Sequence, residues 1–161
     1  AVTRDYVFDV TGTPPMLSVF GGKITTYRKL AEHALEKLKP FFPEMKPAWT
    51  SEAPLAGGDM PDGHFERFLT ELRRSDPWLP EPLARHYARL YGTRSWHILH
   101  GAHSVAQLGR HFGGLLYQAE IDHLRSAEWA MTAEDVLDRR TKHGLHLSPA
   151  ERAEVVAYMG G

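Results

Sequence analysis

The sequence contains no cysteine. Disulfide scaffolds, thiolate metal sites and cysteine nucleophiles are therefore excluded. It also lacks an apolar run of the roughly 18 residues that a membrane-crossing helix needs; its longest apolar stretches, such as Pro14–Phe20, are far shorter. Insertion by a helix of this chain is thus excluded, although attachment to a membrane surface is not. There is no excess of one charge: 19 Lys and Arg stand against 20 Asp and Glu. An electrostatic footprint for nucleic acid is missing, and no nucleic-acid partner is expected. Repeats, low-complexity tracts and a Gly-x-Gly-x-x-Gly dinucleotide fingerprint are absent too. The chain opens Ala1-Val2-Thr3-Arg4-Asp5-Tyr6, with neither an initiator Met nor a signal-peptide pattern, and is expected to be a piece of a longer protein.

What is present is ordinary in bulk. The 161 residues are 42% hydrophobic and 24% charged, which fits one globular domain, or one domain plus the remnant of another. Tyr6-Val7-Phe8-Asp9-Val10 and Met16-Leu17-Ser18-Val19-Phe20 are strand candidates separated by the turn-forming Thr11-Gly12-Thr13-Pro14-Pro15. After Gly21-Gly22, apolar residues at Ile24, Tyr27, Leu30, Ala31, Ala34, Leu35 and Leu38 predict a helix from Thr25 to Leu38, stopped by Pro40 and Pro43. Residues 47–63 are rich in Pro and Gly and read as a connection, with a domain boundary near residue 45. The remainder reads as short helices: Phe65–Leu72, Pro82–Tyr91 closed by Gly92, Trp96–Leu99, Ser104–Leu108, Tyr117–Trp129, one opened by Thr132, and a last one opened by Ser148-Pro149-Ala150-Glu151. The expected fold class is mainly α. An N-terminal β-hairpin and helix, residues 1–45, form the remnant of an α/β domain, and residues 46–161 form a compact all-helical C-terminal domain.

The chemistry-bearing segment is Ser18-Val19-Phe20-Gly21-Gly22-Lys23-Ile24-Thr25-Thr26-Tyr27-Arg28. A strand ends in two glycines, which let backbone approach a planar ligand without a Cβ in the way. The helix that follows offers unpaired N–H groups and a partial positive charge, to which Lys23 adds a full one. Such a place suits an anion, or a ring that becomes anionic on reduction. An ordinary strand–turn–helix junction has the same pattern, and the pattern alone does not separate the two readings.

The segment Leu17 to Glu32, together with Arg4-Asp5-Tyr6, resembles the end of the flavin domain in aerobic, FAD-dependent glycerol-3-phosphate dehydrogenases. The resemblance continues through Trp49-Thr50, Pro54-Leu55-Ala56-Gly57-Gly58-Asp59, Leu83–Gly92, Glu128-Trp129-Ala130 and Arg139-Arg140-Thr141-Lys142. Ile24 stands where Leu is commoner in that family and Ala56 where Pro is typical; neither change removes a functional group. The resemblance implies that FAD oxidises sn-glycerol 3-phosphate to dihydroxyacetone phosphate and that electrons pass to quinone. It implies that Gly21, Gly22, Lys23, Ile24 and Thr25 line the isoalloxazine. It implies too that Arg4 helps hold the substrate phosphate, bidentately, and that Lys23 reaches the substrate. The base and the dinucleotide-binding half would lie in a missing N-terminal flavin domain. No catalytic residue, bound FAD or activity is therefore expected of this piece alone. A cytoplasmic protein peripheral to the inner face of the cell membrane, with a possible homodimer, is the implied setting.

Other constellations carry less. His97, His100 and His103 are spaced by three, as are His143 and His146, but Gly101 interrupts the first run and no carboxylate accompanies either. Two histidines make a poor site, and no metal is expected. Arg73-Arg74, Arg139-Arg140 and Lys142 read as helix-end charges, with contact to anionic lipid headgroups as the minor alternative. Trp49, Trp78, Trp96 and Trp129 read as core or as interfacial anchors. Two rival functions remain: a flavoenzyme of the amino-acid-oxidase superfamily with another substrate, and a helical interaction, dimerisation or membrane-docking module.

Overall fold

A computed structural model describes residues 5–160. The chain divides into two compact units, Ala1–Pro54 and Leu55–Gly161, so the break falls later than the boundary expected near residue 45.

In the first unit, strands β1 (Tyr6–Thr11) and β2 (Met16–Gly21) pair antiparallel, Tyr6 facing Gly21 and Val7 facing Phe20. A single 3-10 turn, Ile24–Thr26, leads into helix α1 (Tyr27–Leu38). Alternation sends Tyr6 and Phe8 to one face of the hairpin, where Tyr6 Oη meets Nδ1 of His33 on α1 at 2.6 Å. Val7, Met16 and Phe20 point the other way and are 65%, 62% and 59% exposed. Among the described residues of the unit, the one buried side chain is a carboxylate. Glu32 accepts from Arg28 at 2.7 Å, Lys29 at 3.0 Å and the Thr50 hydroxyl at 2.6 Å, which ties the Pro-rich connection back to α1. Hydrogen bonds from Thr50 and Lys29, against partial desolvation and with the charges of Arg28 and Lys29, hold the Glu32 pKa at about 2.

Every buried apolar residue among those described lies in the second unit. Helix α2 (Phe65–Ser75) buries Phe68, Leu69 and Leu72; helix α3 (Glu81–Tyr91) buries Leu83, Ala84, Tyr87, Ala88 and Tyr91. These spacings of one, three and four put a single apolar stripe on each helix, and the two stripes meet. Helix α4 (Ser95–Leu99) adds Ile98 and Leu99, and α5 (Gln118–Ala127) adds Ile121 and Leu124.

The unit is not all-helical as expected. Strands β3 (His111–Gly113) and β4 (Leu116–Tyr117) form a bulged hairpin that pushes Phe112 and Leu116 into the core. The turn lies at Gly114-Leu115, and so short a hairpin persists because its two apolar side chains are buried against helices. Thr132 opens the next helical segment as expected. Its Oγ1 accepts from Asp135 N at 3.2 Å, while the Asp135 carboxylate accepts from Thr132 N at 3.0 Å. The segment then widens into a π-helix over Asp135–Arg140, with Thr141 N donating to Val136 O at 3.2 Å. Helix α6 (Pro149–Met159) has the reciprocal Ser148–Glu151 capping box that its sequence predicts.

Candidate functional site

The strand–turn–helix bend of the first unit is open. Lys23, Thr25 and Thr26 are exposed, and Ile24 is 87% exposed. Gly21 and Gly22 adopt φ of +87° and +108°, which L side chains rarely tolerate. Their missing Cβ atoms would point inward: one at Gly21 would sit 2.5 Å from Asp5 O, and one at Gly22 2.9 Å from Leu30 Cδ1. The glycines are thus required by the close approach of the start of β1 and of α1. Asp5 O also accepts from Gly22 N at 3.1 Å. Thr26, part of the same segment but not among its candidate site residues, fixes the bend from the other side, with both its N–H and its hydroxyl donating to Lys23 O at 2.9 Å. Lys23, Ile24 and Thr25 therefore project from a rigid corner that carries the first amides of a helix. Arg4 lies outside the described residues.

The second unit holds a site that the sequence does not announce. Glu120 on α5 is completely buried, and three side chains converge on it. Tyr91 donates to Oε1 at 2.6 Å. His86 Nε2 lies 3.0 and 3.1 Å from the two carboxylate oxygens, and His143 Nε2 lies 3.3 Å from Oε2. Burial pushes the Glu120 carboxyl up, but the hydrogen bonds from His143 and His86 outweigh it and hold the group well below the usual carboxylate range. His143 is placed by the π-helix: the Thr141 hydroxyl donates to Val136 O at 2.5 Å and accepts from His143 N at 3.2 Å.

A cleft of about 650 Å³ opens over His86 and His143, with Leu90, Leu115, Arg89 and Arg140 among its walls. Its cations are turned to other partners. Arg89 lies 4.8 Å over the Phe65 ring, and Arg140 bonds Asp135 and the carbonyls of Glu128 and Trp129. Lys142 Nζ, likewise in the lining, donates to Asp138 O at 2.5 Å.

Neither histidine run singled out by spacing forms a ligand set. Among the described residues, the one group of three His or carboxylate side chains with donor atoms close together is His86, Glu120 and His143. Only His143 belongs to either run. Separations of 34 and 23 residues hide the other two partners from any local pattern. The usable signal was a lone Glu on the apolar face of α5.

Comparison with known proteins bears on the whole chain. Over 160 residues it is 53% identical to D-erythritol 1-phosphate dehydrogenase of Brucella abortus (strain 2308), covering 98% of this chain and 32% of that protein. It is 49% identical to glycerol-3-phosphate dehydrogenase of Pseudomonas aeruginosa, covering 99% of this chain and 31% of the relative. Aerobic glycerol-3-phosphate dehydrogenase of Escherichia coli (strain K12) is 48% identical, covering 99% and 32%. The chain therefore spans about a third of the length of these curated relatives. The family model for the C-terminal domain of alpha-glycerophosphate oxidase matches residues 48–160, and this chain belongs to that family.

Proposed function

We propose that the chain is the C-terminal part of an FAD-dependent dehydrogenase that oxidises sn-glycerol 3-phosphate to dihydroxyacetone phosphate and passes electrons to quinone. The observation that carries the reading is the open Gly21–Thr25 corner, in a unit whose apolar hairpin face, Val7, Met16 and Phe20, is left exposed. Residues 1–45 are then the end of a flavin domain whose remaining chain covers that face. The names of the relatives, all dehydrogenases of polyol phosphates, support the same activity.

The exposed corner fits a planar ring with an anionic edge. The first amides of a helix have no intrahelical carbonyl to bond, and Lys23 adds a full positive charge beside them. FAD, when bound, supplies the hydride acceptor. The residues of this chain would set the potential around it: Lys23 and the amides of Ile24 and Thr25 stabilise negative charge as it develops, and Ile24 excludes water from the ring face. Arg4 would clamp the substrate phosphate through its guanidinium. Dimerisation and contact with the inner face of the membrane are further parts of the proposal.

A second substrate has a specific observation in its favour, since a relative at 53% identity is named for D-erythritol 1-phosphate. The two substrates share a primary phosphate and a neighbouring secondary alcohol and differ by one carbon. The test uses the whole protein, which should purify yellow and reduce a dye with either substrate; the kcat/KM ratio assigns the preference. Lys23→Met should lower the flavin reduction potential and slow reduction by roughly tenfold or more. A colourless whole protein, or a Lys23→Met variant with unchanged potential and rate, would overturn the reading.

A further inference from the structure

We propose that His86, Glu120 and His143 form a binding site for one first-row divalent transition ion, Zn2+, Co2+ or Ni2+, facing the cleft between α3 and the π-helix turn. The inference is independent of the flavin reading.

The geometry is close to what such an ion requires. Nitrogen and oxygen ligands about 2.0–2.2 Å from an ion stand roughly 3.0–3.4 Å apart in octahedral or tetrahedral arrangement. Here the His86–Glu120 donor separations are 3.0 and 3.1 Å, and the His143–Glu120 separation is 3.3 Å. All three donors lie within 4.8 Å of one another, so the two imidazoles need only converge slightly. His86, on the cleft side, is 14% exposed.

The chemistry agrees. Two imidazoles and one carboxylate are borderline-hard ligands of the kind that hold these ions. Among the described residues Glu120 has no Arg or Lys partner, and the two histidines and the Tyr91 hydroxyl meet its charge. An ion would replace the protons between each Nε2 and the carboxylate and supply that balance more fully. Tyr91 fixes Oε1 from behind, and Thr141 pins the backbone of His143, which gives the set its outer support. An anion site in the same cleft is less favoured, because Arg89, Arg140 and Lys142 spend their charges on Phe65, Asp135 and carbonyl oxygens. The cleft leaves the remaining coordination positions to water or to a small ligand.

The experiment strips the whole protein of metal with chelator and titrates it with Zn2+ by calorimetry and equilibrium dialysis. One equivalent should bind, and Tm should rise with free Zn2+. His86→Gln and His143→Gln should each weaken binding by about 10- to 100-fold, and His97→Gln should leave it unchanged. X-ray absorption on the Zn-loaded wild type needs no variant and should report two imidazoles plus oxygen ligands. Absence of a stoichiometric site, wild-type affinity in the His86 or the His143 variant, or a zinc shell without two imidazoles would each overturn the proposal.

Discussion

Tyr87 and Tyr91 lie one helical turn apart on α3, both are buried, and their hydroxyls fare oppositely: Tyr91 donates to Glu120 at 2.6 Å, whereas Tyr87 Oη has no hydrogen-bond partner among the described residues. Burial, then the nearby charge of Glu120, pushes both phenols well above their ordinary pKa, so both stay neutral donors. For Tyr91 the hydroxyl serves a buried carboxylate. Tyr91→Phe should destabilise the second unit by about 1.5–3 kcal/mol, the scale of a hydrogen bond to a charged group. Urea unfolding measures it, and a variant as stable as wild type would refute the role given to that hydroxyl.

Tyr87 should behave differently. Removing an unsatisfied buried hydroxyl while keeping the ring leaves the packing intact, so Tyr87→Phe should be neutral or stabilising by up to about 1 kcal/mol. A clear loss of stability in the same assay would mean that the hydroxyl has a partner, such as a buried water.

Acid should release the Thr50 tether. The folded Glu32 pKa of about 2 lies below the ordinary 4.5, so the stabilisation it gives is fully present above 4.5 and is lost as pH falls toward 2. Carbon-13 NMR should find Glu32 titrating near the lower value. Thr50→Val, which removes the hydroxyl that donates to Glu32, should move that titration upward. No movement would break the proposed link.

Gly92 closes α3 at φ +54° and ψ −134°, and Thr93 N donates to Gly57 O at 3.1 Å, so backbone meets backbone there. A Cβ on Gly92 would collide with Gly57 O. Gly92→Ala should therefore destabilise by at least about 2 kcal/mol, from strained dihedrals plus displaced backbone. Near-wild-type unfolding would show that the two segments move apart freely.

Trp129 sits at φ +54° while 82% exposed, its carbonyl held by Arg140 at 3.2 Å. Strain is thus present without burial to offset it. Trp129→Asn, which tolerates this region, should raise stability by several tenths to about 1 kcal/mol. A decrease in Tm would point instead to packing by the indole.

Much of the local structure was legible in advance. Ser148-Pro149-Ala150-Glu151 and Thr132–Asp135 specify their helix starts through bonds between near neighbours, and the stripes of α2 and α3 follow from the 3.6-residue period. The hairpin of β3 and β4 was not legible, because its two short strands carry no alternation long enough to read; burial of Phe112 and Leu116 makes it. The π-helix was hidden for a similar reason, since the Thr141–Val136 bond, not a propensity, widens it.

The sequence by itself determined the absence of thiol chemistry, the N-terminal hairpin and the helix starts, and the glycine corner before Lys23, all of which depend on residue types or on neighbours within a turn or two. Only the tertiary structure decided that the corner's glycines answer to Asp5 and Leu30, and that Glu120 collects Tyr91 and His86 from α3 and His143 from the turn after the π-helix. The physical reason is range. Capping and periodicity act over three or four residues, whereas a buried carboxylate takes its donors from whatever side chains packing delivers, however far away in the chain they begin.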